Sequence, residues 1–243
     1  MTITQPIRKP RPAPGARSRG TGPEKAPPLN AGDRLTSAEF ERRYEAHPEI
    51  KKAELVEGVV HVPSPTHYAQ HGSPHGSVVT WLGVYRAATP GTFMADNTTV
   101  RLDDANNLQP DAILRLEPSL GGTSRLSDDD YVEGPPDLIA EVAASSAAYD
   151  LHDKLRAYQR NGVREYLVLQ VTERRVHWFV LRDGVYDRLQ PDTAGILRSD
   201  LFPGLWLQPE LIWTGDLAAL LAVLQQGLAS PEHADFAAEL CSE

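Results

Sequence analysis

Asp137-Leu138-Ile139-Ala140-Glu141-Val142, followed by Leu151-His152-Asp153-Lys154-Leu155-Arg156-Ala157-Tyr158, then Asn161-Gly162 and Glu165-Tyr166-Leu167-Val168-Leu169, reads as strand, helix, stop and strand. The first and last runs are short and almost wholly apolar, as strands covered on both faces must be. Between them Leu151, Lys154, Leu155 and Tyr158 recur at helical spacing, and Asn161-Gly162 supplies a C-terminal stop. Two charges therefore stand among apolar positions, Glu141 near the end of a strand and Lys154 in an inward stripe. A lysine so placed either snorkels to water or meets an anion.

Upstream, Pro110-Asp111 opens a strand over 112–116. If it pairs antiparallel with 138–142, its start lies beside the end of that strand, and Asp111 and Glu141 meet at one edge of the sheet. Further back, Thr36-Ser37-Ala38-Glu39 has capping-box spacing for a short helix to residue 46. Residues 53–62 alternate around Glu57-Gly58 as a hairpin, with Val56, Val60 and Val62 expected on one face and Glu54 sharing the parity of Val56. A core helix over 75–88 carries Val78, Val79, Leu82 and Tyr85, and Val100 with Leu102 marks another strand. Downstream come strands over 165–171, 175–181 and 185–189, an Ala/Leu-rich helix over 216–228, and a second helix opened by Ser230-Pro231-Glu232. The order predicts an α/β or α+β domain with a mixed central sheet flanked by helices. Its expected limits are 34–221, after a tail over 1–33 and before a helical extension over 222–243, and the apolar stripe of the Leu/Ala-rich helix over 216–228 suggests a homodimer contact.

The 243 residues are 41% apolar and 23% charged, ordinary for a soluble globular chain. No apolar window approaches the ~18 residues of a membrane span, and Arg and Pro occupy the first residues where a signal peptide would be apolar. The expected compartment is cytoplasmic, with no membrane partner. A lone Cys241 builds neither a disulfide nor a multi-cysteine zinc site. Residues 1–28 hold seven Pro and three Gly, and their six basic residues against Glu24 give +5. Such a segment is expected to be disordered. Since the whole chain is −9, the remainder is −14, and a body that acidic repels polyanions unless a metal ion or a local basic patch reverses the field.

Two carboxylates held together resist joint ionisation unless a cation joins them, and hard oxygen ligands suit Mg²⁺ or Mn²⁺. Such an ion can polarise a phosphoryl oxygen and acidify a water, as phosphodiester hydrolysis requires. His67, His71 and His75 are spaced by four, but Gly72 and Pro74 are expected to interrupt their helix, leaving His75 near the cleft and no zinc site. His152 is expected at the surface. Ser145-Ser146 lacks a His and Asp arrangement for nucleophilic catalysis, and no Gly-rich phosphate loop precedes a helix.

Pro110-Asp111, Asp137 to Val142, Asp150, Lys154, Tyr158 and Asn161-Gly-Val-Arg-Glu-Tyr166 together resemble the PD-(D/E)XK nuclease superfamily, in its bacterial restriction-endonuclease branch, the Uma-two family. Ala53-Glu-Leu-Val-Glu-Gly58, Pro63-Ser-Pro65, Gln109 and Leu201-Phe-Pro-Gly-Leu-Trp-Leu207 add to the resemblance, which covers 34–221. It implies a core of helix, three-stranded meander, helix and further strands, and a DNA endonuclease using Mg²⁺ or Mn²⁺ bound by Asp111, Glu141 and the Val142 carbonyl. The superfamily's usual lysine position is Ala143 here, so the resemblance assigns the amine to Lys154, which would orient the attacking water. Glu54 matches a family acidic position, although Ala53 replaces the usual aromatic residue. The alternative is a catalytically silent module, binding nucleic acid or protein, that keeps the fold. On the sequence alone Lys154→Met should spare the fold, because methionine fills the same stripe.

Overall fold

The computed structural model describes residues 26–63, 67–144 and 147–242. In chain order its elements are α1 (Ser37–Ala46), β1 (Glu54–Val56), β2 (Val59–His61), α2 (Ser73–Ala88), β3 (Thr92–Asp96), β4 (Val100–Asp103), β5 (Asn106–Leu108), β6 (Ala112–Leu116), β7 (Arg125–Leu126), β8 (Val132–Glu133), β9 (Leu138–Ala143), α3 (Ala147–Tyr149), α4 (Leu155–Asn161), β10 (Glu165–Gln170), β11 (Arg175–Arg182), β12 (Val185–Arg188), β13 (Leu197–Arg198), β14 (Trp206–Leu207), α5 (Pro209–Thr214), α6 (Leu217–Leu228) and α7 (Pro231–Leu240). Turns of π-helix at Tyr68–Gly72 and Asp150–Lys154 lead into α2 and α4.

The architecture is α+β. As expected, mixed β-sheet is flanked by helices; the described residues form two six-stranded mixed sheets and a small ribbon, β13-β14. The main sheet runs β12-β11-β10-β9-β6-β3, and the second runs β2-β1-β5-β4-β8-β7. Strands β3, β6 and β9 are an antiparallel meander, and β10 lies parallel to β9 after a helical crossover. The first meander strand is thus Thr92–Asp96. The strand expected at Val100 and Leu102 belongs to the other sheet, bonded to β5 and β8, because its alternation fixes a buried face but no partner.

Alternation along β6 and β9 divides two cores. Leu114, Leu138, Ala140 and Val142 face one core with Trp81, Tyr85 and Leu224, whereas Ile113, Ile139 and Ala143 face the other with Tyr158, Tyr166 and Val56. Asp111 and Glu141 share the parity of Ile113 and Ile139, so both belong to the second face. The early hairpin departs from expectation. Its two-residue turn puts Glu57 at φ 52° and Gly58 at φ 73° and pairs Val56 with Val59 and Leu55 with Val60. Opposed residues share a face, so Val60 joins Leu55 and Ala53, while Val56 and Glu54 point to the other core. Val62 is exposed.

Most of the tail expected over 1–33 lies outside the described residues. Its last part is ordered: Leu29 is buried against Phe40, Ala53, Leu55 and Val60, and Gly32 N–H donates to the Val60 carbonyl at 2.8 Å. At the other end, the limit expected at 221 falls inside α6, whose Leu220 and Leu224 are buried in the main core. The stripe read as a dimer contact is therefore covered within the chain. Trp81 Nε1 donates to the Trp206 carbonyl at 2.9 Å and Tyr85 Oη to the Pro203 carbonyl at 3.0 Å, tying the 201–207 segment to α2. A Cβ on Gly227 would meet the Gly204 carbonyl oxygen at 2.2 Å. Gly227→Ala is accordingly expected to cost about 2–3 kcal/mol by overpacking, read as a lower urea midpoint. An unchanged midpoint would show that α6 can slide away from this contact.

Candidate active site

The three acids Asp111, Glu141 and Glu54 arrive from different strands or their edges. Asp111, the residue before β6, is 5% exposed. Its Oδ2 accepts from Val142 N–H at 2.8 Å and lies 3.2 Å from His71 Nε2, and its Oδ1 lies 3.6 Å from Lys52 Nζ. Burial alone would raise this carboxyl, but His71, Lys52 and the Val142 N–H outweigh it and hold the pKa at about 2. Glu141 on β9 is 3% exposed, and its Oε1 accepts from Lys154 Nζ at 2.8 Å and Tyr158 Oη at 3.0 Å. Burial lifts the Glu141 carboxyl above the ordinary carboxylate range, with Lys154 pulling it back and Asp111, Asp150 and Glu54 adding to the lift.

Glu54 of β1 accepts from Gln109 N–H at 2.9 Å and from Lys154 Nζ at 3.0 Å. Lys154 also lies 3.7 Å from Asp150, and its amine is 5.5 Å from the centre of the Tyr149 ring. Burial disfavours the charged amine, but Glu141, Glu54 and Asp150 outweigh that and hold it well above the ordinary lysine value. The helix following β9 is built to aim it. The π-turn Asp150–Lys154 stacks the acid over the lysine, Tyr166 Oη holds the Asp150 carbonyl at 3.0 Å, and Gly162 ends α4 at φ 84°.

Asp111, Glu141, Lys154 and Glu54 therefore share one face and one network. Ala143, the usual lysine position, is buried among apolar neighbours. Val142, expected as a carbonyl ligand, touches the site through its N–H to Asp111. Sequence reasoning missed Lys52 altogether and misread the histidine segment. Gly72 is helical and closes a π-turn running straight into α2, and Pro74 sits in the first turn of α2 where no N–H is needed. His71 and His75 consequently stand on one face with rings 5.3 Å apart, and His75 Nε2 lies 3.0 Å from the Asp111 carbonyl and 2.9 Å from Asp96 Oδ1. The i, i+4 spacing was the available signal. His67 is exposed, as is His152, while Ser145 and Ser146 lie outside the described residues.

Three acids, Glu141, Glu54 and Asp150, thus surround Lys154, and Asp111 stands beside Lys52. An excess of buried negative charge with hard oxygen donors suits a divalent cation. Among the described residues no three His, Cys, Asp or Glu side chains group as a metal site. The hydroxyl of Tyr149, buried beside Lys154, has no hydrogen-bond partner among the described residues.

The model of the Uma2 family, described as "Putative restriction endonuclease", matches residues 37–210. The chain belongs to the Uma2 family. Among solved structures, this Uma2 chain is similar to a protein from Anabaena variabilis ATCC 29413 described as "a putative nuclease belonging to DUF820". The two are 11% identical with a TM-score of 0.52, over 67% of the Uma2 chain and 90% of the other, a likeness of fold. No curated protein matches the chain. Among the described residues, no helix is long and apolar enough to cross a membrane.

Proposed function

We propose that this chain is a divalent-metal-dependent endonuclease that hydrolyses DNA phosphodiester bonds, with Mg²⁺ or Mn²⁺ held by Asp111, Glu141 and the Val142 carbonyl. The observation that carries this reading is the convergence of Glu54, Glu141 and Lys154 on the sheet face that also presents Asp111, in a chain of the Uma2 family. The bound ion would supply Lewis acidity at a phosphoryl oxygen and at the attacking water. The chain's own groups set the stage for that chemistry. Lys154 keeps Glu54 and Glu141 from repelling one another, Tyr158 Oη fixes one oxygen of Glu141, and the Val142 N–H fixes one oxygen of Asp111. Glu54, bonded to the Gln109 N–H, would orient a water among the acids.

Asp111→Ala is expected to abolish Mn²⁺ binding in titration calorimetry and metal-dependent nicking of supercoiled plasmid. The substitution removes one of two hard side-chain ligands. Wild-type protein with no heat of Mn²⁺ binding and no Mn²⁺-induced rise in melting temperature would remove the metal reading. The acidity of the chain, −9 overall, favours a second reading, a silent module that keeps the nuclease fold. Metal binding without nicking of any DNA form would select it.

A further inference from the structure

Two amines enter the acid cluster in opposite conditions. Lys154 is 4% exposed, and its ammonium, with three donors, faces three carboxylates: Glu141 at 2.8 Å, Glu54 at 3.0 Å and Asp150 at 3.7 Å. An amine so surrounded balances charge but has little left to offer an incoming anion. Lys52, in the segment leading into β1, keeps 28% of its side chain exposed. It donates to Asn97 Oδ1 at 3.1 Å and lies 3.6 Å from Asp111 Oδ1, beyond hydrogen-bond length. Its Asn97 partner is itself anchored, because Gln109 Nε2 donates to the Asn97 carbonyl at 2.7 Å and Gln109 N–H donates to Glu54. The amine is thus held beside Asp111, part-exposed and with one hydrogen bond made among the described residues.

Resting on the function proposed above and deepening it, we infer that Lys52 is the amine that contacts the DNA phosphate, whereas Lys154 acts only on the carboxylates. A lysine beside Asp111 can meet a phosphate oxygen as a point charge while the acids hold the cation. This also answers the difficulty that an acidic body poses to DNA binding, since the attraction is local to Lys52.

The test is fluorescence anisotropy of a labelled DNA duplex with Ca²⁺ in place of Mg²⁺, across a salt series, with wild type, Lys52→Met and Lys52→Arg. Lys52→Met should weaken binding several-fold and flatten the slope of log affinity against log salt by about one, the signature of one lost phosphate contact. Lys52→Arg should restore the slope. Mn²⁺ affinity and melting temperature of Lys52→Met should equal those of wild type, or Mn²⁺ affinity should rise because a competing cation has gone. Wild-type affinity and slope in Lys52→Met would overturn the assignment, as would a parallel fall in Mn²⁺ affinity, which would show Lys52 acting through Asp111. Absence of DNA binding by wild type would instead overturn the functional reading and this assignment with it.

Discussion

Lys154→Met should lower stability at neutral pH by about 3–5 kcal/mol, the range for removing one partner of a buried charge network, and should cut nicking by roughly 10–100-fold, as loss of a partner that orients metal-site carboxylates does. Methionine does fill the helical stripe, which is why the sequence suggests a tolerated change. It also leaves Glu54, Glu141 and Asp150 buried with no amine among them. Glu141, whose carboxyl burial lifts above the ordinary range, then holds in the folded protein a proton that it releases when unfolded, so stability in the variant falls as pH rises from about 4 through that raised pKa. The deficit relative to wild type should be full near pH 7 and should shrink toward about pH 4, where the unfolded carboxyls also protonate. Urea midpoints across that range read the effect. A deficit that is absent or does not change with pH would show that Lys154 does not neutralise the cluster.

Glu165→Ala should unfold the protein more readily for a different reason and without touching the acids. Glu165 lies on β10, on the face away from Glu141, and is fully buried. It accepts from Trp178 Nε1 at 3.0 Å, from Ser199 Oγ at 2.8 Å, and from the N–H groups of Asp200 and Leu201, both at 2.9 Å. One carboxylate thereby holds the segment before β14 against the main sheet. Truncation leaves several buried donors unpaired at about 1–3 kcal/mol each before relaxation, and about 3–4 kcal/mol in sum would lower the melting temperature by roughly 10 °C. Mn²⁺ affinity measured well below that temperature should match wild type. A melting point within about 2 °C of wild type would show that water replaces the carboxylate without loss.

The stretch around β9 and α4 was legible because physics leaves such elements little choice. Strands covered on both faces must be nearly all apolar, and the helix between parallel strands must show one apolar stripe, so Glu141 and Lys154 stand out as misplaced charges. Asp111 followed from antiparallel pairing alone. Strands β5, β7 and β8 were not legible. They are two or three residues long, and Asn106-Asn107 carries no alternation; Asn106 is held by Asp103 and by the Glu57 N–H, a partnership that no local pattern records. The face of Val60 was misassigned because a two-residue turn reverses the parity carried from one strand to the next. His71 was hidden by Gly72, which a π-turn accommodates, and Lys52 lies in coil, where spacing says nothing about direction.

The order of the charges along the chain also bears on how the protein is made. Glu54 and Glu141 both leave the ribosome before Lys154, and β10, which covers the flank of β9, follows later still. A nascent chain thus carries two carboxylates destined for burial before their shared counter-ion exists. Until that helix emerges they keep their water, because desolvating them unpaired costs several kcal/mol apiece. The meander therefore cannot close strand by strand during synthesis. Its closure waits for Lys154, which makes the completion of the core and the assembly of the acid cluster one event.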